Sequence, residues 1–378
     1  MNKLKKVNVS KYTMGIALAS IWLLMTILTG GMFLTRRNLS NLFLQTATTA
    51  VLACGMVLIL VSGNIDLSVG SLAGLCGGVA AVCMAKFNLN TPLVLLITLV
   101  VGLVAGLWHG FWIAYRHVPA MIVTLASMLV FRGVVIGITG GSTIGPTNDS
   151  FKAIGQGYLP MWLGIAVTVI VVAAVIIGEL KKRNSKKKNG LNPGNTAWFI
   201  TRLVLTVSAI LVFFGIMLSY KGIPVAIMVV LVLAVILNYI GEHTPFGRHI
   251  YAIGGNNDAA RFSGINIRKT LFSLYAGMGV ITAVAGVIFT ARLNSGSPAA
   301  GVNFEMDAIA SAIIGGTSTV GGEGRIFGAL IGALVMTSID NGMSLLNLDV
   351  TFQYIIKGLV LLAAVAVDVA NRKKAGNS

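Results

Sequence analysis

Long apolar runs separated by short polar gaps dominate this chain. A helix needs about 20 apolar residues to cross the hydrocarbon of a bilayer. On that measure twelve spans are expected, at 13–34, 41–62, 69–85, 91–115, 118–141, 161–179, 195–219, 223–241, 270–291, 306–320, 326–345 and 351–369. The third and tenth are short and interrupted by glycine. They read as broken or half-spanning helices, which are tolerated only where protein or a cavity surrounds them. The expected fold is all-α, a polytopic transmembrane helix bundle forming one domain over residues 1–378. The apolar run at 13–34 follows Lys3, Lys5, Lys6 and Lys11. It is too long for a signal-peptide core and no small-residue cleavage site follows, so it is kept as the first span.

Composition agrees with that pattern. Of 378 residues, 56% are hydrophobic and only 10% charged, too few charges to clothe a water-facing surface. The balance is basic, with 28 Lys and Arg against 11 Asp and Glu. These cations occupy gaps between apolar runs and form no aromatic-interleaved patch, which points to membrane topology and not to nucleic acid. Threading the spans with the N-terminus inside puts 19 cations on the inner side, six on the outer side and three within spans. The positive-inside rule then places both termini in the cytoplasm. The run KKRNSKKKNG at 181–190 is read as a solvated cytoplasmic loop in preference to a lipid- or nucleic-acid-binding patch, and Trp108, Trp112 and Tyr115 as an interfacial aromatic belt.

Helices in lipid associate through close backbone approach, which favours small residues four apart. Four such rows are present: Gly70, Gly74 and Gly78; Gly102, Gly106 and Gly110; Gly133, Gly137 and Gly141; and Gly328 with Gly332. Cys54, Cys76 and Cys83 have no metal-ligand or redox spacing and are read as packing residues.

No catalytic constellation is evident. His109, His117, His243 and His249 are scattered near helix ends and loops, and GGTSTVGGEGR at 315–325 lacks the Lys of a phosphate-binding loop. The polar residues that interrupt spans are the better guide, because charge within a bilayer is costly. Asn64, Asp66 and Ser68 lie where the second span breaks into the third, Asp307 lies where the tenth begins, and Arg132 lies inside the fifth. Asp66 and Asp307 each precede small residues and glycines, so each is expected to cap a helix N-terminus, with substrate contact as the competing role. The two segments also hint at related halves with broken helices in matching places.

The loop at 242–270 contains a short helix signal: Gly254 and Gly255 break the chain, Asn256 or Asn257 caps, Asp258 favours the first turn and Gly264 ends it. About two turns of helix are too few to stand alone, so a docking partner is expected. Here Asp258-Ala259-Ala260-Arg261-Phe262-Ser263-Gly264 resembles the EAA-x-x-x-G signature of bacterial ABC-importer permeases, with Asp for the family's Glu. GRHIYAIGGN at 247–256, NIDLSVGS at 64–71 and MDAIASAIIGGTS at 306–318 are similar to segments of ribose/xylose-type simple-sugar permeases, and the resemblance covers nearly the whole chain.

The resemblance implies a ten-helix core to which residues 161–219 add two spans and a polybasic link, as in xylose-type permeases. D-Xylose is then the expected substrate, ahead of ribose, galactose or another small polyol. Residues 242–269 become a coupling loop in which Asp258, Ala259, Ala260, Arg261 and Gly264 meet a cytoplasmic ATPase. The resemblance further implies a homodimer of this subunit in a bacterial cell membrane, and a sugar-binding protein outside. ATP and Mg are used by the ATPase, with no cofactor or metal in this chain. The competing reading is an ion-coupled secondary transporter or channel for a small polar solute, with Asp66, Asp307 and Arg132 as ion sites.

Overall fold

A computed structural model describes residues 13–145, 147–192 and 194–376. The four lysines counted before the first span lie outside them. Every apolar run becomes helix, because a chain in hydrocarbon must satisfy its backbone polar groups internally. In chain order the helices are α1 (Thr13–Leu28), α2 (Arg36–Val61), α3 (Val69–Ala85), α4 (Thr91–Gly110), α5 (Ala120–Thr139), α6 (Asp149–Gln156), α7 (Met161–Lys188) and α8 (Thr196–Leu218). There follow α9 (Val225–His243), α10 (Pro245–Gly255), α11 (Asn257–Phe262), α12 (Ile267–Leu293), α13 (Phe304–Ile314), α14 (Ile326–Leu345) and α15 (Val350–Gly376). Among the described residues, nine helices are long and apolar enough to cross a membrane. This is a polytopic helical membrane protein.

Its centre is α2, whose apolar stretch is 89% buried among α9, α12, α13 and α14. Beside it α12 crosses α3 and α4 at backbone contact distance. A Cβ at Gly102, Gly106 or Gly110 would strike the backbone of Gly279, Tyr275 or Phe272, so glycine sets how closely α4 and α12 approach. Gly328 and Gly332 do the same for α14 against α13, and Gly70 and Gly74 for α3 against residues 300–305. The row on α5 departs from expectation: nothing lies within 4 Å of a Cβ built at Gly133 or Gly137. These two glycines face away from the protomer's own bundle.

Two of the expected spans are not simple spans. The tenth, placed at 306–320, is helical only over the 11 residues of α13, about 16 Å at 1.5 Å per residue, or half the hydrocarbon thickness. It is reached by a non-helical segment, 294–303, that enters beside Gly77 and Ala81 of α3 and descends to Gly70. At the other end of the bundle α2 finishes against Gly322, and residues 62–68 climb non-helically to the start of α3. The starts of α3 and α13 therefore meet inside the protein, Gly70 against Gly301 and Glu305.

Helices α7 and α8 hang outside this core, with 11% and 6% of their apolar stretches buried. Tyr158 pairs with Pro224 beside the start of α7, so the far end of α7 and the end of α9 project from the same side of the bundle. That side also carries α10 and α11. The amphipathic α6, unforeseen in the sequence, caps the opposite side by burying Phe151 against α12.

Candidate functional site

The interruption between α2 and α3 is built from its own polar residues. Asn64 Nδ2 donates to Ser62 Oγ at 3.0 Å, and Asp66 Oδ1 accepts from the Ser68 amide at 2.9 Å and from Ser68 Oγ at 2.7 Å. Asp66 thus shapes the turn that launches α3, close to the capping role expected of it, and both it and Ser68 are buried. His109, expected to be a helix-end histidine, is buried between the rings of Phe131 and Tyr275, at 5.6 and 6.2 Å between centroids. Cys54, Cys76 and Cys83 are free and buried, consistent with packing roles.

Arg132 of α5 holds the second interruption. Its Nη1 donates to the carbonyl of Pro298 at 2.7 Å and to that of Ala300 at 2.8 Å. Those carbonyls belong to a non-helical segment that cannot pair them internally, and the guanidinium supplies the donors. The partners of this intramembrane cation are therefore backbone oxygens, with Glu305 as the nearby acid. A recess opens beside it, between α5 and residues 297–302.

Asp307 has a different role from the cap expected of it. Lys357 Nζ of α15 stands 3.0 Å from Asp307 Oδ2 and 2.8 Å from Asp340 Oδ2 of α14. Three helices are joined by this ion triad, and sequence inspection missed two of its members. Both were legible as charges inside apolar runs; their pairing was not, because 17 residues separate Asp340 from Lys357 and 50 separate Asp307 from Lys357. Of the five polar candidates, Asn64, Asp66 and Ser68 form one cluster. Arg132 lies at the second interruption, and Asp307 faces away toward α15.

At the projecting end, α10 is a helix that sequence reading left unassigned. Thr244 caps it by accepting from the Gly247 amide at 3.2 Å, and Pro245 fills its first position. Gly254 and Gly255 do not break the chain but complete α10. A Cβ at Gly254 would strike the Val61 carbonyl, so glycine here permits close docking on α2. The chain breaks at Asn256, whose side chain accepts from the Ala259 amide at 2.9 Å and caps α11. Gly264, at φ +81°, ends the segment in a left-handed conformation suited to glycine. Ala260 points inward and is buried, whereas Asp258, Ala259 and Arg261 are exposed. Phe262 is 89% exposed, an apolar ring that sequence reading passed over.

The loop before α14 is pinned to this platform. Tyr251 donates to the Gly324 carbonyl at 2.8 Å, and the Gly322 amide donates to Val61. Burial, and secondarily the nearby Glu242, pushes the Tyr251 phenol up, with Arg325 acting against them. The phenol therefore remains a donor at neutral pH.

Comparison with known proteins agrees with this architecture. Residues 38–365 match the family described as "Branched-chain amino acid transport system / permease component". The chain is 45% identical over 374 residues to the "Xylose transport system permease protein XylH" of Haemophilus influenzae, covering 99% of this chain and 100% of that one. Identity to the protein of the same name in Escherichia coli is 44%, over 98% of this chain and 94% of the other. Identity to the "Ribose import permease protein RbsC" of E. coli is 34%, over 90% and 88%. No solved structure matches. With its broken helices, exposed α11 and full-length relatives, this chain belongs to the family of membrane-embedded permease components of such transport systems.

Proposed function

We propose that this chain is the permease subunit of an ATP-binding cassette importer that carries D-xylose across a bacterial cell membrane. The observation that carries the reading is identity near 45% along the whole chain to xylose permeases, against 34% to a ribose permease. The α7–α8 hairpin supports it as the insert expected of xylose-type members.

In this reading α11 is the coupling helix. The exposed Asp258, Ala259, Arg261 and Phe262 meet the ATPase, while Ala260 and the α10 platform transmit its movement to Val61 and Gly322. ATP and Mg act in the ATPase, and a sugar-binding protein delivers cargo on the opposite side. Both termini are cytoplasmic, on the side of α11. Two copies pack through the open glycine face of α5, which places the recess beside Arg132 on the pathway. Residues 1–378 act as one permease domain, with Asn64, Asp66 and Ser68 setting one broken helix and Arg132 the other. Closure of the ATPases would move α3 and the half-helix α13 against each other, an alternating-access cycle.

Purification in mild detergent should bring down a nucleotide-binding subunit. Vesicles containing both, with the binding protein, should take up xylose in preference to ribose when ATP is present. Uptake by this chain alone under an ion gradient would overturn the assignment.

A further inference from the structure

The α7–α8 hairpin has more to offer than two added spans. The apolar part of α7 ends at Gly178, about 27 Å from its start at 1.5 Å per residue, close to the thickness of the hydrocarbon. Glu179 therefore stands at the hydrocarbon boundary, and the next turns lift Lys182, Arg183 and Lys186 into the headgroup layer. Alongside, Arg202 and Trp198 of α8 complete a recess between the two helices.

The recess is organised. Arg183 lies 4.4 Å over the Phe199 ring and donates to Thr196 Oγ1 at 2.6 Å. Arg202 lies 3.7 Å from Glu179, the one acid in the lining. Four cations thus face a single carboxylate, and among the described residues neither Lys182 nor Lys186 is ion-paired. Trp198 is 56% exposed at the level where indoles settle in a bilayer.

We propose that this recess binds the phosphate of an anionic phospholipid, whose acyl chains lie along the apolar sides of α7 and α8. The cations select for negative charge at headgroup level. The lipid source is favoured over a soluble anion or an acidic protein segment because the recess opens between two helices that bury almost none of their apolar surface against the bundle. Lys187 and Lys188 lie farther along α7, which stays helical through residues 181–188 where the sequence reading expected a loop. The assignment is independent of the transported sugar.

The test is native mass spectrometry of the full-length protein in detergent, titrated with phosphatidylglycerol, with phosphatidylcholine of the same acyl chains, and with inorganic phosphate. Phosphatidylglycerol should be retained preferentially and should raise the apparent unfolding temperature. The variant K182Q/R183Q/K186Q/R202Q should lose on the order of tenfold or more of that affinity, with phosphatidylcholine binding unchanged. Should Arg183 or Arg202 prove necessary for folding, K182Q/K186Q gives the same comparison, since neither lysine makes an ion pair. Equal retention of the two lipids by the unaltered protein, or unchanged phosphatidylglycerol retention by the variants, overturns the proposal. So does protection by inorganic phosphate equal to that by the lipid, which would mark a soluble-anion site.

Discussion

The Lys357 ammonium stands 3.0 Å from the Asp307 carboxylate, fastening α15 to the first turn of the half-helix α13. The same ammonium ties α15 to Asp340 of α14 at 2.8 Å, and the apolar stretch of α15 has no fully buried residue, resting on the bundle only through partly buried side chains such as Ile356 and Val360. A second polar contact, from Thr319 Oγ1 to Asp368 at 2.8 Å, secures its other end. Replacing Lys357 by Met leaves the buried Asp307 and the half-buried Asp340 carboxylates without their cation, a loss of about 3–5 kcal/mol where such a pair is fully buried and less here. The apparent unfolding temperature in detergent should fall, and neutralising the carboxylates as well (K357M/D307N/D340N) should restore much of it. No recovery in the triple variant would show that Lys357 stabilises through packing alone.

Arg132 offers the matching test on the other side of α13. Charge-assisted hydrogen bonds contribute roughly 1.5–3 kcal/mol each, and Arg132 makes two to the 294–303 segment. Arg132→Met should insert normally and still bind the ATPase, yet transport at a small fraction of the normal rate. A cysteine placed at Ser297 should label faster in that variant. Equal labelling would mean that the guanidinium does not hold the segment.

On α11, the proposed coupling helix, inward and outward residues should separate cleanly. Ala259→Trp adds bulk on an exposed face and should abolish coupled ATP hydrolysis and uptake without lowering stability. Phe262→Ala should weaken ATPase capture by about thirtyfold if the ring is an interface anchor worth 2 kcal/mol. Ala260→Trp, at a buried position, should instead reduce the yield of folded protein.

The glycine rows predict opposite phenotypes for one substitution. Gly106→Val places side-chain atoms against the Tyr275 backbone and should prevent accumulation of folded protein. A Cβ at Gly133 meets nothing in the protomer, so Gly133→Val should leave the chain folded, and size-exclusion chromatography should show the proposed dimer lost. A dimer that survives Gly133→Val moves the contact elsewhere.

Tyr251 gives a pH dependence of known sign. Burial raises its phenol above the usual value of 10.0 in the folded protein, so the hydrogen bond to Gly324 contributes at every pH below that value. Its contribution disappears as pH rises through the elevated folded-state value. Tyr251→Phe should lower stability by about 1 kcal/mol at pH 7, and the difference from the unaltered protein should shrink only in strong alkali.

Much of this protein was readable before any fold was known, because a bilayer constrains sequence more tightly than water does. Twelve apolar runs, the short third and tenth among them, followed from length and hydropathy. The capping Asn256, the exit at Gly264 and the launch of α3 by Asp66 are local events governed by side chains within a few residues of the backbone they serve. They were legible for that reason. The third glycine row finds no partner within the protomer, because small residues four apart define a helix face but not what lies opposite it.

What only the tertiary structure decided are relationships between residues distant in sequence. Asp307 meets Lys357 and Asp340, Arg132 meets the carbonyls of 298 and 300, and the starts of α3 and α13 meet at Gly70 and Gly301. In a chain this apolar nearly every helix face is hydrophobic, so periodicity carries little information about which faces touch. The choice is made by close packing at glycine and by the need of each buried charge for a partner, and neither is visible until the helices stand side by side.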